Sequence, residues 1–501
     1  MLATLLETAA LVEPDRVIAH DRGQALTMST VVDRARVGAS LLLQAGARSC
    51  VFVGVTGPVL PLTLYAAATA GIPFAPVNYR SSDDVVRELI SRLDDPFIIA
   101  DDGWVETLGA HLSATQWLDA LATTTPVETL PEVDADDIAA ILFTSGTTSA
   151  PKAVPLRHGH LASYLLNTVE LMGAGPDEAA LVSVPPYHVA GIGSALSNTL
   201  AGRRLVYLPD FRPERWLDTV RTEGVTSAMV VPTMLARIIE HLNGAPADVP
   251  TLRQLAYGGA PIASSVLQSA LESFPATGFT NAYGLTETSS TLTILTPEDH
   301  RLAVAAADPV VSARIGSVGT ALPGVELQVR DENGTVLPAN ESGVLWVRGP
   351  QISGEYIGRE RVLDEHGWFC TRDGARLDDH GYLYIEGRLD DTIIRGGENI
   401  APAEIEDVIV AHPAVRDAAV VGLPDESWGQ RTAAAVIADE VDAEEIRTWV
   451  RERLRSAKTP DDVYFVDELP YNPTGKLVRR DLADLLVGLR AGTIEGRNRN
   501  P

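Results

Sequence analysis

The sequence predicts an α/β protein with three parts: a large N-terminal domain of layered sheets covered by helices, a small β subdomain, and a small α+β C-terminal domain. Short Val, Ile, Ala and Leu runs alternate with helical patterns through the first 310 or so residues, which is typical of layered sheets with covering helices. From Gly316 the chain alternates polar and apolar residues, with turn signals at Asn333–Gly334 and Ser342–Gly343, which indicates antiparallel strands. After Arg388 it returns to a mixed pattern.

The length and these changes of pattern set the expected domain boundaries. A chain of 501 residues is too long for one ordinary domain. We expect an N-terminal domain over residues 1–389, with the β subdomain at about 310–389, and a C-terminal domain over residues 390–501. The tail at about 491–501, AGTIEGRNRNP, has no apolar period, and we expect it to be disordered.

Charge and cysteine content narrow the function classes. The net charge of −27 disfavours nucleic-acid backbones and anionic membrane surfaces, which need clustered Lys and Arg. Two cysteines, Cys50 and Cys370, make no disulfide framework, so a cytoplasmic location is expected. The N-terminus MLATLLETAALVEPDR lacks a basic segment and contains Glu7; it predicts an amphipathic helix, not a signal peptide.

The uncharged stretch Val51–Tyr79 is long enough to cross a membrane. However, Gly and Pro residues interrupt it repeatedly. It fits a buried unit of strand (Val51–Val55), helix (about Leu60–Ala70) and strand (Pro73–Pro76) better. We therefore expect no membrane span.

The stretch ILFTSGTTSAPKAVPL, residues 141–156, suits a bound polyphosphate. An apolar strand at 138–143 leads into a turn where Gly146 permits positive φ, so successive amides can face one concavity. Lys152 adds a positive charge, and hydroxyls come from Thr144, Ser145, Thr147 and Thr148. It is not a Walker A loop, because Pro151 precedes the lysine and AVPL continues as a strand. Taken alone, the loop could equally be an ordinary polar hairpin.

Further motifs along the chain decide between a phosphate loop and a polar hairpin, because together they resemble a known family. FTSGTTSAPKAV, PPYHVAGIGS, YGGAPI, NAYGLTET, TRDG, GRLDDTIIRGGENIAPAEIE and PYNPTGKLVRRDL follow one another along the chain. Together they resemble the adenylate-forming superfamily of acyl- and aryl-CoA synthetases, peptide-synthetase adenylation domains and luciferases. The resemblance covers nearly the whole chain. It implies a phosphate loop at 144–152 and a mobile C-terminal lid.

The resemblance implies residues for the attack of a carboxylate on ATP. Both reactants are anions, so cations must screen them. Lys476, after Pro473-Thr474-Gly475, resembles the lysine that bridges the acid and the α-phosphate. Glu287 resembles the Mg²⁺-binding glutamate, and Thr144 and Thr286 would contact the metal or the phosphates.

A second set would bind the nucleoside. The resemblance places adenine against the backbone of small residues, with Tyr283 stacked on its other face. Asp373 resembles the acid that accepts the ribose hydroxyls, and Arg388 the base that supports it. Without the resemblance, Asp373–Gly374 could be a turn and Arg388 part of a surface ion pair. The expected lining residues are Gly258, Gly259, Ala260, Pro261, Asn281, Ala282 and Gly284.

Transfer to coenzyme A would use other residues. Asp390 matches the hinge about which the lid turns, and Gly396 and Gly397 would leave room for the pantetheine chain. DESWGQ resembles a segment near the CoA nucleotide in some relatives, although we expect Trp428 to lie in the lid core.

The acid-binding residues suggest an apolar substrate. His188 matches a gate beside the acyl pocket. Val189 stands near the position where amino-acid activators have an aspartate, which argues against an α-amino acid. The expected apolar walls, at Met229, Val231, Gly258, Ala282 and Leu285, favour a fatty or aromatic acid.

Two positions depart from the family pattern. Ser149 and Ala153 stand where glycine is common in the family. If the turn needs positive φ at Ser149, a serine there costs roughly 1 kcal/mol.

The sequence therefore predicts an acid–CoA ligase that uses ATP, Mg²⁺ and coenzyme A. One alternative is an adenylating ligase that passes the acyl group to a carrier-protein pantetheine or an amine. Only fourteen residues separate Asp373 from Arg388, which leaves no room there for the insertion of fatty-acyl AMP ligases. Another alternative is a nucleotide-binding protein without catalysis. A homodimer is left open.

Overall fold

A computed structural model describes residues 1–125, 129–144, 151–359, 361–395, 398–425, 427–454, 458–472 and 477–491, with the backbone alone at 390, 398 and 399. The chain begins with helix α1 (Leu2–Val12), whose buried residues Leu2, Leu6 and Ala9 share one face. This confirms the predicted amphipathic helix. A hairpin of β1 (Val17–Asp21) and β2 (Gln24–Thr27) follows, and then α2 (Met28–Gln44).

The first layered sheet has six strands in the order β6-β5-β3-β4-β7-β8. All pairs are parallel except the hairpin of β7 and β8. Its strands are β3 (Ser49–Val53), β4 (Phe74–Pro76), β5 (Pro96–Ala100), β6 (Leu112–Ser113), β7 (Ile138–Thr144) and β8 (Lys152–Arg157). Its helices are α3 (Val59–Ala70), α4 (Asp83–Ile90), α5 (Asp102–Leu108), α6 (Ala114–Thr123) and α7 (His158–Thr168).

The interrupted apolar stretch at 51–79 is the predicted strand–helix–strand unit of β3, α3 and β4. Every residue of α3 is buried, which explains why it is apolar on all sides. Among the residues that the structure describes, no helix is both long and apolar enough to span a bilayer.

The second layered sheet has seven strands in the order β10-β9-β11-β12-β13-β14-β15. Its strands are β9 (Ala179–Val182), β10 (Arg204–Tyr207), β11 (Ser227–Val230), β12 (Gln254–Gly258), β13 (Gly278–Leu285), β14 (Ser290–Leu295) and β15 (Thr320–Ala321). Its helices are α8 (Val189–Ala201), α9 (Pro213–Thr222), α10 (Pro232–Leu242), α11 (Ser264–Ser273), α12 (Pro297–Ala305) and α13 (Pro309–Ala313). The strands β9 to β13 are parallel.

A four-stranded antiparallel sheet follows, made of β16 (Glu326–Arg330), β17 (Gly343–Arg348), β18 (Phe369–Leu377) and β19 (Leu383–Arg388). The turn predicted at Asn333–Gly334 is present, with Gly334 at φ 82°. The turn predicted at Ser342–Gly343 is wrong, because Gly343 is the first residue of β17. A Cβ there would lie 2.5 Å from the carbonyl oxygen of Arg330, so strand pairing explains this glycine.

The C-terminal part has its own sheet, in the order β21-β20-β23-β22 with β24 parallel to β23. Its strands are β20 (Ile393–Arg395), β21 (Glu398–Ile400), β22 (Val415–Asp425), β23 (Gly429–Ala438) and β24 (Asp462–Phe465). Its helices are α14 (Pro402–Val410), α15 (Ala443–Arg453) and α16 (Arg479–Arg490). Of the predicted disordered tail, residues 492–501 lie outside the described residues.

The apolar cores divide at the same place as the sheets. One cluster joins the first layered sheet to the β subdomain, and another covers a face of the second sheet. The two clusters of the C-terminal part contain residues between 393 and 489 only. A region with its own core can move as a unit relative to its neighbour.

Candidate active site

The carboxyl ends of β11, β12 and β13 bring together the residues expected around adenine and the acid. Val230 is paired with Tyr257, and Gly258 with Ala282. Consequently one edge of the sheet carries Met229, Val231 and the segments 258–261 and 281–285. This edge is where ligands bind in open α/β sheets.

Two glycines of this edge are required by the backbone itself. A Cβ at Gly258 would lie 2.0 Å from the carbonyl oxygen of Ala282, and one at Gly284 would lie 1.8 Å from that of Ser290. Gly259 adopts φ 85° and has open space beside it. The small residues predicted from the sequence therefore serve strand packing at 258 and 284, while Gly259 leaves room for a flat ligand.

The residues expected at the ribose meet at one carboxylate. Asp373 lies in β18 opposite Arg388 of β19, and it is not a turn residue. Its side chain is 5% exposed, with Oδ1 2.9 Å from Nε of Arg388. The hydroxyl of Tyr283 donates to Oδ2. Burial and the charge of Asp373 raise the pKa of Tyr283, which stays a neutral donor.

The backbone around Asp373 adopts an uncommon conformation. Arg372 has φ 62°, in the left-handed region that costs a non-glycine residue free energy. The amide of Asp373 donates to the hydroxyl of Thr371, 3.1 Å away, and that hydroxyl donates to the carbonyl of Leu345. Strain of this kind persists where the surrounding structure imposes it, and it occurs often at functional sites.

Of the expected phosphate loop at 144–152, only the two ends lie within the described residues. Thr144 ends β7 and is paired with Lys152, which begins β8. Ser145, Gly146, Thr147, Thr148 and Ser149 lie outside the described residues. The guanidinium of Arg92 donates to the carbonyl of Pro151 at 2.6 Å and so anchors the exit of the loop. Ala153 lies in β8 and has no positive φ, so this departure from the family pattern costs no backbone strain.

Glu287, the residue expected to bind the metal, lies in a 3₁₀ turn at Thr286–Thr288. The hydroxyl of Tyr356 donates to Oε1 of Glu287 at 2.8 Å. Lys152 places Nζ 4.8 Å from the centroid of the Tyr356 ring. Burial and the charge of Glu287 raise the pKa of Tyr356. The sequence did not single out Tyr356, because only the tertiary fold brings it to Glu287.

This donor set fits a magnesium ion. Mg²⁺ is commonly held by one or two carboxylates together with substrate phosphates and water. Glu287 supplies one partly exposed carboxylate on the side of the site where Lys152 begins β8. The hydroxyl of Thr144, paired with Lys152, is the second candidate donor on the protein.

The acyl side combines the start of α8 with the sheet edge. His188 is the residue before α8, Val189 is its first residue, and the ring of Tyr187 lies 4.9 Å from that of His188. A second ring, that of Tyr79, lies 5.7 Å from Tyr187. The expected wall residues Val189, Met229, Val231, Ala282 and Leu285 are partly exposed, whereas Gly258 is buried.

The lid side is partly described. Asp390 lies in a 3₁₀ turn at Leu389–Asp391, directly before the C-terminal sheet. Lys476, Gly396 and Gly397 lie outside the described residues. The expectation that Trp428 lies in the lid core is wrong: its side chain is 56% exposed, and Arg395 lies 5.8 Å from its ring centroid.

A partly buried ion-pair network lies directly after the Lys476 motif. Arg479, the first residue of α16, places Nη1 2.6 Å from Oε1 of Glu406 and Nε 3.2 Å from Oδ2 of Asp391. Glu406 also accepts the amide of Val420 at 2.7 Å. Arg479 thus ties α16 to α14 and to the residue after Asp390. The sequence signal for this role is the position of Arg479 three residues after Lys476.

Comparisons with known proteins identify the family of this chain. The family model of AMP-binding enzymes matches residues 6–357, and that of the AMP-binding enzyme C-terminal domain matches residues 404–476. A feruloyl-CoA synthase from Amycolatopsis sp. is 32% identical over 490 residues, which covers 94% of this chain and 96% of that protein.

Solved structures share the whole architecture. ATP-bound MatB from Rhodopseudomonas palustris superposes with a TM-score of 0.87 at 27% identity, covering 98% of this chain and 100% of the other. The o-succinylbenzoate coenzyme A synthetase MenE from Bacillus subtilis, in complex with ATP and magnesium ion, gives a TM-score of 0.82 at 26% identity, covering 95% and 98%. The chain therefore belongs to the AMP-binding enzymes of the adenylate-forming superfamily, as an AMP-forming acid–CoA ligase that uses ATP, Mg²⁺ and coenzyme A.

Proposed function

We propose that this ligase activates an aromatic carboxylic acid. Two of the relatives, the feruloyl-CoA synthase and the o-succinylbenzoate synthetase, act on acids that carry a benzene ring. In this chain Met229, Val231 and Leu285 are partly exposed at the sheet edge beside Gly258, and they offer apolar surface to a flat ring. Val189 adds an apolar side chain where an ammonium-binding aspartate would be needed for an amino acid.

The observation that carries the assignment of the nucleotide site is the Asp373 carboxylate. Arg388 and Tyr283 engage its two oxygens from neighbouring elements. A buried carboxylate paired with an arginine accepts hydrogen bonds strongly, as recognition of a ribose diol requires. We assign Asp373 to the ribose, Arg388 to its support, and Tyr283 together with 258–261 to the adenine.

The first half-reaction joins two anions. The carboxylate of the acid attacks the α-phosphorus of ATP, and pyrophosphate leaves. We assign Lys476 to the charge that develops between the acid and the α-phosphate, and Lys152 with the 144–148 hydroxyls to the departing phosphates. Glu287 and Thr144 would hold the magnesium ion, which supplies positive charge beside the phosphate oxygens.

The second half-reaction transfers the acyl group to sulfur. The thiolate of coenzyme A attacks the acyl carbon, and AMP leaves with the electrons of the broken bond. We propose that residues 390–501 form a lid that turns at Asp390 and presents Gly396 and Gly397 to the pantetheine chain, with residues 1–389 as the fixed domain. The separate core of the C-terminal part supports a rigid-body motion.

We also propose a cytoplasmic location. Cys50 and Cys370 are both free thiols, as is usual in a reducing compartment. A homodimer stays a prediction, which light scattering of the purified protein would test.

The acid class is tested by a pyrophosphate-release screen over substituted benzoic and cinnamic acids and over medium- and long-chain fatty acids. We expect kcat/KM for the best aryl acid to exceed that for the best fatty acid by at least about tenfold, or about 1.4 kcal/mol. A fatty acid as the best substrate would contradict the proposal. Repeating the assay without coenzyme A, with a carrier-protein pantetheine or an amine, distinguishes the alternative acceptors.

A further inference from the structure

The segment Gln351–Ile357, here called the bridging segment, joins the Glu287 turn to the phosphate-loop hairpin. On the side of the turn, the amide of Ser353 donates to the carbonyl of Glu287 at 2.9 Å. The side chain of Gln351 donates to the carbonyls of Thr288 and Thr291 at 3.0 and 2.7 Å. Gln351 and Ser353 are almost completely buried, so these bonds are shielded from water.

On its other side the bridging segment contacts β8. The hydroxyl of Ser353 donates to the carbonyl of Pro155 at 2.6 Å, and the amide of Ile357 donates to that of Ala153 at 2.9 Å. Glu355 forms an ion pair with Arg157 at 2.6 Å. The segment therefore fixes the strand that begins with Lys152 relative to the turn that carries Glu287.

Tyr356 lies at the centre of this arrangement. Its hydroxyl donates to Oε1 of Glu287 at 2.8 Å, and Nζ of Lys152 lies 4.8 Å from its ring centroid. One side chain thus contacts both the carboxylate assigned to the metal and the cation assigned to the phosphates. A hydrogen bond to one oxygen of a carboxylate restricts its rotation and orients the other oxygen.

We propose that Tyr356 is a positioning residue that holds the carboxylate of Glu287 ready for the magnesium ion and couples it to Lys152 of the phosphate loop. This inference rests on the proposed role of Glu287. Its consequence is specific. The phenol hydroxyl should affect ATP binding only when Mg²⁺ is present. The ring should affect ATP binding even without Mg²⁺, through its contact with Lys152.

The test measures ATP binding by titration calorimetry in the absence of any acid, so that no turnover occurs. The dissociation constant of ATP is determined once in EDTA and once in saturating Mg²⁺. The constant in EDTA divided by the constant in Mg²⁺ gives the coupling between metal and nucleotide. Tyr356→Phe should lower this ratio about tenfold, the lower end of the range for losing a hydrogen bond to a metal ligand. It should leave the affinity in EDTA within about twofold.

Tyr382→Phe is the matched control. Tyr382 also donates its hydroxyl to a carboxylate, that of Asp299 at 2.7 Å, and also has a cation over its ring, Arg314 at 4.4 Å. Tyr382→Phe should leave the ratio of the two ATP dissociation constants unchanged. Tyr356→Leu removes the ring as well and should weaken ATP binding in EDTA about threefold, since Lys152 loses its contact.

Each outcome decides between the proposals. An unchanged ratio in Tyr356→Phe overturns the inference. An equal loss of ATP affinity in EDTA and in Mg²⁺, together with a lowered melting temperature, also overturns it, because it would show a structural role. Glu287→Gln should remove most of the coupling. If it does not, the assignment of the metal to Glu287 fails; if Glu287→Gln loses the coupling and Tyr356→Phe keeps it, only the role of Tyr356 is rejected.

Discussion

Asp373 is a buried carboxylate with an arginine on one oxygen and a phenol on the other. The guanidinium of Arg388 forms an ion pair with the carboxylate, and the hydroxyl of Tyr283 fixes its orientation. We propose separate roles for the two parts of Tyr283: the ring contacts adenine, and the hydroxyl acts through Asp373.

Tyr283→Phe separates these functions. We expect KM for ATP to rise about fivefold, because one hydrogen bond worth about 1 kcal/mol is lost while the ring is kept. The rate at saturating ATP should stay within about twofold. Steady-state kinetics with ATP as the varied substrate checks this, and a lowered kcat at unchanged KM would show that the hydroxyl acts on the chemical step instead.

Val189→Asp tests the acyl pocket. An unpaired carboxylate against an apolar acid is costly to desolvate, so kcat/KM for the native acid should fall at least about tenfold, or about 1.4 kcal/mol. Val310→Asp, at a 55% exposed position, is the control and should leave kcat/KM for the native acid unchanged. Equal activities of the two variants would show that Val189 does not line the pocket.

Single residues also show how far the sequence could predict the site. Motif order placed Tyr283, Asp373 and Arg388 in one site, and the last two are partners on adjacent strands. The side-chain contacts of Tyr283 with Asp373, 90 residues away, and of Tyr356 with Glu287, 69 residues away, depend on how whole sheets approach one another. No local pattern encodes that approach, so Tyr356 was missed.

At the scale of elements, short apolar runs predicted the parallel strands, and alternation of apolar and polar residues predicted the antiparallel sheet. The prediction failed where a local sequence signal arises from contacts with other parts of the chain. Gly343 looked like a turn residue, yet a neighbouring carbonyl explains it. Trp428 looked like a core residue because it is large and apolar, but it is exposed beside Arg395. In both positions, the decisive neighbours are distant in sequence.

Helix α16 is anchored by Arg479, and this anchor gives a stability prediction. Arg479→Met leaves Glu406 and Asp391 partly buried and without their shared cation. Breaking such a network costs on the order of 3 kcal/mol. Hydrogen exchange at the amides of β22 and α14 should therefore accelerate about 100-fold, while amides of the layered sheets should exchange at the wild-type rate.

The neighbouring arginine supplies the control for α16. Arg480 is 70% exposed and pairs with Asp481 beside it, an arrangement worth little to stability. Arg480→Met should leave hydrogen exchange unchanged. Equal acceleration in both variants would show that α16 is not anchored through Arg479.

At the scale of the whole molecule, the fold separates a large N-terminal part from a small C-terminal part with its own sheet and its own core. Asp390 and Asp391 lie at the junction, and Arg479 connects that junction to the helix that follows Lys476. A rotation at the junction would therefore carry Lys476 with it. We assign Lys476 to adenylation alone, since the lid would have turned before the thiol attacks.

The most direct test of this central claim is to measure the two half-reactions separately in Lys476→Ala. We expect adenylation, followed as pyrophosphate release, to slow about 10²- to 10³-fold, as on losing one preorganised donor to a developing charge. Thioester formation from supplied acyl-adenylate should fall less than about threefold. Lys458→Ala is the control, because Lys458 is the only other lysine after Lys152 and pairs with Glu404 within the lid. Equal losses in the two half-reactions of Lys476→Ala would contradict the account.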